Sequence, residues 1–259
     1  MIGIFDSWFG GLQTLKYLKE ILPAYDYLFF ADTKNNPYGE KKISEVKELT
    51  FTALNYLFDQ WASLVILACN TASVASIRDR QMQFPEKKVL SVTIPGVESL
   101  MGKNYKDIAV LSTELTARSG IYNELYKKIV WEDAVVKNIA AWNLVTAIEQ
   151  WTITKDERLI LIQNYLDKVS KESDCLVLGC THYSVWKEEF AEVFDGSIID
   201  PSYLSALALK EYLQKHTDIH KKIWKNSKIQ ICTSWNVKMF EDIWSVICWK
   251  NIDVSLVTL

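Results

Sequence analysis

Two cysteines in similar sequence contexts are the residues of this chain best suited to carry a reaction. Cys69 follows the apolar run 64–68, and Cys180 follows the apolar run 175–179. Both runs are typical of short buried parallel strands, and the residues after each cysteine predict a helix start. In open α/β sheets, ligands bind at the carboxyl ends of the strands, so thiols there can face a ligand. Two such thiols, in separate parts of the chain, could flank one substrate from opposite sides.

Other interpretations of the two thiols stay open at this point. Both could be small buried hydrophobic residues, a common role of free cysteine. Hydrolysis by a Cys–His pair would use one thiol and leave its counterpart unexplained. A zinc site made from Cys175, Cys180 and His182 would have a ligand spacing that standard zinc sites do not use, so no metal site is predicted.

Polar residues lie close to both cysteines or at the first predicted strand. Asp6 ends that strand, where it could face a substrate ammonium and assist proton transfer at Cys69, or only cap the next helix. His182 could hold or polarise the Cys180 sulfur, although a histidine at a helix start is often only a cap. Four further residues offer groups that hydrogen-bond a carboxylate or an ammonium: Ser7, Asn70, Thr71 and Thr181.

The composition argues against several classes of partner. The 259 residues are 49% hydrophobic, carry a net charge of −3 and have a pI of about 5.7, which argues against a nucleic-acid surface. The basic cluster at 215–228 is interpreted as a solvated helix end and loop. The apolar runs are too short to span a bilayer. Five cysteines, an odd number, are typical of a reducing compartment. We therefore expect a cytoplasmic protein without membrane or nucleic-acid partners.

Short apolar runs alternate with amphipathic stretches along the chain, which predicts an α/β fold with mostly parallel sheets flanked by helices. The predicted strands cover 2–5, 27–31, 64–68, 89–92, 108–111, 134–137, 176–179, 197–199, 228–232 and 252–256. The clearest predicted helices cover 42–59, 114–129, 155–172 and 202–216. A second strand–helix series begins after 93–96, the best candidate hinge. We expect two pseudo-symmetric lobes with the active site between them. The first lobe comprises residues 1–95 and is completed by 206–259, and the second comprises residues 96–205.

Five motifs in order resemble those of glutamate racemases, cofactor-independent members of the aspartate/glutamate racemase family. They are Asp6-Ser7, Asn-Asn-Pro-Tyr-Gly at 35–39, Cys-Asn-Thr at 69–71, Thr113 with Thr116, and Gly-Cys-Thr-His at 179–182. Each motif alone is modest evidence, but five in register are specific, and the likeness runs from residue 1 to about 205. The chain departs from the family at three tryptophans where glycine is usual, and at a serine where proline is usual: Trp8, Trp61, Trp151 and Ser184.

The resemblance implies racemisation of glutamate without a cofactor. Inverting an amino-acid α-carbon requires removal of a weakly acidic proton from one face and delivery of a proton to the other. Two bases achieve this without a base moving around the substrate, and cysteine suits the task because its pKa of about 8.5 shifts readily with its surroundings. By the resemblance, Cys69 would deprotonate D-glutamate and Cys180 L-glutamate, with Asp6 and His182 in supporting roles.

The resemblance also implies how the substrate is held. Pro37, Tyr38 and Gly39, with Thr113 and Thr116, would grip the side-chain carboxylate, although the sequence around them is also simply a good turn. The acidic residue near the second cysteine, Glu149, matches a family position, with an exposed helix carboxylate as an equally weighted alternative. D-Glutamate for peptidoglycan precursors and a homodimer are implied in the same way.

Two rival functions stay open. One is a racemase or isomerase of the same superfamily that acts on aspartate or another small acid. The other is an inactive binding protein whose pocket is filled by Trp8. Racemisation of glutamate without an added cofactor distinguishes these rivals from the main expectation.

Tryptophan is unusually common in this chain and glycine unusually rare. There are 10 tryptophans and 9 glycines, whereas average usage predicts about 7% glycine. Trp8 interrupts a strand-to-helix turn, Trp61 stands where a helix must stop, and Trp151 and Trp235 lie in similar turns. We hypothesise that several of these residues are encoded by UGA and read as glycine in the source organism; an aromatic-rich protein is the alternative. With Trp8 in place, we expect its ring to enter the cleft or to be pushed into solvent.

Overall fold

Two parallel sheets flanked by helices form the protein in the computed structural model, which describes residues 1–131, 133–150, 152–248 and 252–259. This architecture confirms the predicted α/β class. The strands of the described residues are β1 (Ile2–Asp6), β2 (Tyr27–Ala31), β3 (Leu64–Leu67), β4 (Lys88–Ser91), β5 (Asp107–Ser112), β6 (Val135–Ala140), β7 (Cys175–Gly179), β8 (Ser197–Ile199), β9 (Ile229–Thr233) and β10 (Val254–Leu256). Each predicted strand is present, with its ends moved by a few residues at most.

The larger sheet has the order β10-β9-β2-β1-β3-β4, and the smaller sheet has the order β6-β5-β7-β8. All recorded pairings are parallel. Every residue of β1, β2 and β3 is buried, because strands covered by helices on both faces require continuous apolar runs. In a parallel sheet all carboxyl ends share one edge, so the residues after these strands converge there.

The α-helices between the strands cover α1 (Gly11–Ile21), α2 (Ile43–Asp59), α3 (Asn70–Ser76), α4 (Arg80–Gln83), α5 (Thr93–Glu98), α6 (Glu114–Ser119), α7 (Ile121–Ile129), α8 (Trp142–Glu149), α9 (Lys155–Leu166), α10 (Lys187–Val193), α11 (Pro201–Lys215), α12 (Thr217–Lys222) and α13 (Val237–Cys248). Short 3-10 helices cover Thr33–Asn35, Tyr38–Glu40 and Thr181–Trp186. Among these helices, none within the described residues combines the length and apolarity needed to cross a bilayer.

Two helix predictions were wrong in extent. The stretch 114–129 was predicted as one helix, but Gly120 adopts a φ of +65° and separates α6 from α7. A glycine in the left-handed conformation ends a helix. The prediction missed this break because the amphipathic pattern of the sequence continues across Gly120. The helix predicted over 155–172 ends at Leu166. The predicted hinge at 93–96 lies in α5. Pro95 is in the first turn of this helix, where a backbone N–H has no acceptor within the helix, so the missing N–H of proline costs no helical hydrogen bond.

The chain crosses from the larger sheet to the smaller one through α5 and returns through α11 and α12. The lobe boundaries at 95 and 205 stay predictions.

Two exposed tryptophans have left-handed backbone. Trp61 follows the C-cap of α2 with a φ of +66° and is 75% exposed. Trp131, which was not among the predicted positions, follows α7 with a φ of +62° and is 82% exposed. Trp235 is exposed without a positive φ. Trp151 lies outside the described residues. Trp61 therefore occupies the kind of helix end that favours glycine, as its sequence position predicted.

Candidate active site

A small cavity lies where the carboxyl ends of strands from both sheets meet. Its free volume is about 20 Å³, enough for about one water molecule. It is lined by eleven of the predicted site residues: Asp6, Ser7, Tyr38, Gly39, Cys69, Asn70, Thr71, Thr113, Cys180, Thr181 and His182. The structure therefore brings both cysteines to one cavity, Cys69 from the end of β3 in the larger sheet and Cys180 from the end of β7 in the smaller one.

Cys69 has an acidic and buried environment. It caps α3, and its sulfur accepts a hydrogen bond from the backbone N–H of Ala72 at 3.4 Å. The hydroxyl of Ser7 lies 3.4 Å from the same sulfur. Burial, assisted by the negative charge of Asp6, raises the pKa of the Cys69 thiol to about 12, against the smaller opposing effect of these hydrogen bonds. Cys69 is therefore a protonated thiol when the cavity is empty and Asp6 is ionised.

Cys180 has a cationic neighbour instead. Its sulfur lies 3.7 Å from Nδ1 of His182. On the other side of the ring, Nε2 lies 3.4 Å from Oε1 of Glu149, within ion-pair distance but without the geometry of a hydrogen bond. Burial lowers the pKa of His182, but the hydrogen bond with Cys180 and the negative charges of Cys180 and Glu149 outweigh this effect and raise the pKa to about 10. An imidazolium next to the sulfur stabilises negative charge there.

Asp6 lies under the cavity and connects the two sheets. Its carboxylate accepts hydrogen bonds from the backbone N–H of Trp8 at 3.0 Å and from the Thr181 hydroxyl at 3.0 Å. Burial raises the pKa of Asp6 to about 6, although the charge of His182 and these hydrogen bonds oppose the shift. At neutral pH, Asp6 is therefore mostly a carboxylate with a pKa close enough to neutrality for proton exchange.

Glycine allows this close approach of the two sheets. A Cβ atom on Gly10 would lie 2.5 Å from Oγ1 of Thr181 and 2.7 Å from Nδ1 of His182. Any side chain there would push the segment after β7 away from the start of α1. The Asp-Ser-x-x-Gly sequence thus lets the two active-site segments touch.

Hydroxyl groups line the cavity at a second junction between the sheets. Thr71 and Thr113 share a hydrogen bond of 2.8 Å, and the Thr116 hydroxyl lies 3.1 Å from Thr113 and 3.4 Å from Thr71. A Cβ atom on Gly39 would lie 2.9 Å from Cβ of Thr113, so this glycine is needed for the contact. Tyr38 is held by a 2.7 Å hydrogen bond from its hydroxyl to Asp32. Of these groups, the hydroxyls of Thr71 and Thr113 line the cavity and can rotate to donate to a carboxylate.

Three predicted site residues do not line the cavity. Pro37 follows a cis peptide bond in the loop before Tyr38. Thr116 lies behind Thr113, and Glu149 lies behind His182. These three residues therefore lie next to residues that line the cavity and do not themselves contact its interior.

Three lining residues were missed: Asn36, Trp142 and Val145. Asn36 belongs to the motif at 35–39, so its position was available from the sequence. Trp142 begins α8, directly after β6, and the rule that ligands bind beyond strand carboxyl ends could have found it.

The expectation for Trp8 was wrong. Its ring neither enters the cavity nor reaches solvent, because it is 9% exposed and packs edge-on against Phe240 of α13 with 6.4 Å between ring centroids. The alternative hypothesis of an inactive binding protein, in which Trp8 fills the pocket, is therefore not supported, because Trp8 does not line the cavity. The indole Nε1 is buried and makes no hydrogen bond within the described residues.

No group of three or more His, Cys, Asp or Glu side chains converges as a metal site in the part of the chain that the structure describes.

Comparison with known proteins places this site in a family. The chain matches the Asp/Glu/Hydantoin racemase family over residues 22–208. The glutamate racemase of Clostridium novyi (strain NT) is 34% identical over 227 residues, which cover 85% of each chain. The crystal structure of glutamate racemase isoform RacE1 from Bacillus anthracis has a TM-score of 0.90 and 27% identity, covering 100% of this chain and 97% of that one. Glutamate racemase from Francisella tularensis subsp. tularensis SCHU S4, in complex with D-glutamate, gives a TM-score of 0.89 and 26% identity, covering 99% and 97%. The chain therefore belongs to the Asp/Glu/hydantoin racemase family and is an amino-acid racemase.

Proposed function

We propose that this protein interconverts L- and D-glutamate by proton transfer between two cysteine bases, without a cofactor. The observation that carries the proposal is that Cys69 and Cys180, borne by different sheets, line one cavity. The names of its relatives support glutamate as the substrate, and the structure of the Francisella tularensis relative is titled as a complex with D-glutamate.

The unequal surroundings of the two thiols suit the L-to-D direction. The thiolate of Cys180, stabilised by the His182 imidazolium, takes the α-proton of L-glutamate, so that the Cα–H bond breaks and an S–H bond forms. Cys69, which is a thiol because of burial and Asp6, gives its proton to the opposite face of the carbanion. Each turnover moves one proton onto one sulfur and one proton off the other. The D-to-L direction uses the reverse protonation states.

Donors around the cavity would stabilise the intermediate. The carbanion spreads its charge onto the α-carboxylate, and hydrogen bonds that strengthen as this charge develops lower the barrier. Thr71 and Thr181 supply such donors beside the two thiols. The Asn70 amide would bind a carboxylate in the ground state as well, and Tyr38, Gly39 and Thr113 lie where the second carboxylate would bind. Between turnovers in the L-to-D direction, the Cys69 thiolate would regain a proton by way of Asp6. Cys180 would lose its proton to solvent, leaving a thiolate beside the His182 imidazolium.

The family likeness alone supports the physiological part of the proposal. D-Glutamate would supply peptidoglycan precursors, and the enzyme would act in the cytoplasm as a homodimer. Sedimentation analysis of the purified protein tests the homodimer.

Racemisation in deuterium oxide tests the proposed reaction. The purified enzyme, treated with EDTA and supplied with no cofactor, is given L-glutamate or, in parallel, L-aspartate. We expect D-glutamate to appear with deuterium on its α-carbon, while the remaining L-glutamate stays protiated at early times, because different bases remove and deliver the proton. Turnover of aspartate but not glutamate would assign the rival substrate. Early deuterium in the remaining L-glutamate would indicate a single base.

A further inference from the structure

We propose that Tyr122 is a positioning residue that fixes the side-chain amide of Asn70 so that its N–H groups face a substrate carboxylate, and does so only when the two sheets are closed on each other. The inference deepens the proposed function and rests on it. Tyr122 lies on α7, which follows α6 and leads into β6 of the smaller sheet. Asn70 begins α3, directly after β3 of the larger sheet.

The contact between the two residues is short and buried. The Tyr122 hydroxyl donates to Oδ1 of Asn70 at 2.7 Å, and the side chains are 1% and 3% exposed respectively. Asn70 lines the cavity next to Cys69, while Tyr122 does not. Tyr122 therefore acts on a ligand only through Asn70.

The other end of the amide has no partner in the protein. Nδ2 of Asn70 is buried and makes no hydrogen bond within the described residues. A buried amine left without an acceptor is costly, and a carboxylate oxygen in the cavity would remove that cost. Asn70, a residue that lines the cavity, therefore has a desolvated donor without an acceptor in the described part of the protein.

The hydroxyl decides which end of the amide faces the cavity. An asparagine amide can rotate by half a turn and exchange its oxygen and nitrogen at little steric cost. In the rotated state the phenol hydrogen would lose its acceptor, and Oδ1 would face the substrate carboxylate and repel it. Burial holds the pKa of Tyr122 far above its usual value, so the hydroxyl keeps its proton at any working pH.

The Tyr122–Asn70 hydrogen bond depends on how close the two sheets lie to each other. A cavity of about 20 Å³ must widen to admit glutamate. Widening that separates α7 from α3 breaks the Tyr122–Asn70 bond, along with the Thr71–Thr113 bond at the same junction. Asn70 is then fixed for the substrate only after the sheets close again.

Tyr122→Phe tests the inference because it removes only the hydroxyl. We expect the KM for both enantiomers to rise about tenfold, while kcat changes by less than about twofold. The reason is that the variant weakens the hydrogen bond from the Asn70 amide to the substrate carboxylate, which is made equally in the ground and transition states. Tyr27→Phe is the matched control. Tyr27 is also 1% exposed, and its hydroxyl donates to backbone carbonyls of Leu18 and Leu22 away from the cavity. Its KM should stay unchanged.

A double-mutant cycle separates positioning from general destabilisation. In an Asn70→Ala background, Tyr122→Phe should cause no further rise in KM, since the residue through which it acts is gone. The inference is overturned if KM is unchanged in Tyr122→Phe. It is also overturned if Tyr122→Phe raises KM in the Asn70→Ala background by as much as it does alone. In either case, glutamate turnover by the unsubstituted enzyme still supports the proposed function. Absence of glutamate turnover by the unsubstituted enzyme overturns the proposed function, including glutamate as its substrate.

Discussion

The Cys180 sulfur lies 3.7 Å from Nδ1 of His182, and this contact gives the second thiol surroundings of opposite charge to those of the first. Cys69 lies in the field of the Asp6 carboxylate, which raises its pKa along with burial. The charge of Asp6 and burial thus favour the neutral thiol at Cys69, whereas a cation lies beside the sulfur of Cys180. A two-base proton transfer requires such a difference at the start of each turnover.

Replacing either cysteine by serine should abolish racemisation, because a serine hydroxyl is too weak an acid to act as a thiolate-like base. The two variants are matched controls for each other. We expect Cys69→Ser to exchange the α-proton of L-glutamate with deuterium oxide but not that of D-glutamate, and Cys180→Ser to show the reverse. Proton NMR of each enantiomer measures the exchange. Near-native racemisation by Cys180→Ser would contradict the two-base scheme.

Activity should decline as the pH rises through about 10, where His182 loses its proton and Cys180 loses its cationic neighbour. Glu149 helps to raise the pKa of His182, so Glu149→Gln should move this decline to lower pH. The measurement is kcat/KM against pH. Glu188→Gln, an exposed change on the nearby α10, should leave the profile in place. An unmoved decline in Glu149→Gln would show that the Glu149–His182 contact does not govern it.

Asp6 should lower the stability of the folded protein as it ionises. Burial raises its pKa from 3.8 to about 6, so its contribution to stability is fully present below pH 3.8 and is lost as the pH rises to about 6. The loss amounts to about 3 kcal/mol, from about two pKa units at 1.36 kcal/mol each. His182 contributes almost nothing to this change, because the stability from its raised pKa is fully present below pH 6.5 and is lost as the pH rises from there to about 10.

Asp6→Asn removes this ionisation and keeps a similar shape. Between pH 4 and pH 7, the free energy of unfolding of the variant should therefore rise relative to that of the unsubstituted protein by up to about 3 kcal/mol. Racemisation should fall at the same time. Urea unfolding at several pH values measures the difference. A constant difference across this range would mean that Asp6 keeps an ordinary pKa in the folded state.

The fold and the meeting of the cysteines could be predicted because they follow from local patterns and one topological rule. Continuous apolar runs specify buried parallel strands, and strand carboxyl ends share one edge. The position of Trp8 could not be predicted, since its ring packs on Phe240, which is far away in the chain. The same holds for Tyr122, whose partner Asn70 belongs to the other sheet. Contacts between sheets depend on how the sheets pack, which no local pattern encodes.

The two left-handed tryptophans give a direct test of the glycine hypothesis. Trp61 and Trp131 have φ values of +66° and +62° and are 75% and 82% exposed, so they bear backbone strain and bury little surface in return. A side chain in this region costs about 1–2 kcal/mol, partly offset by the greater unfolded-state entropy of glycine. Trp61→Gly and Trp131→Gly should each stabilise the protein by about 0.5–1 kcal/mol, which is a rise of about 1–4 °C in Tm.

Trp235→Gly is the matched control for these two substitutions. Trp235 is 61% exposed but has no positive φ, so its replacement should not raise Tm. Differential scanning calorimetry of the three variants separates relief of backbone strain from mere loss of an exposed ring. Equal shifts in all three, or a lower Tm in both Trp61→Gly and Trp131→Gly, would remove the structural support for glycine at these positions. The mass of the protein isolated from its source organism then decides which residue is inserted there, because each glycine in place of tryptophan lowers it by a fixed amount.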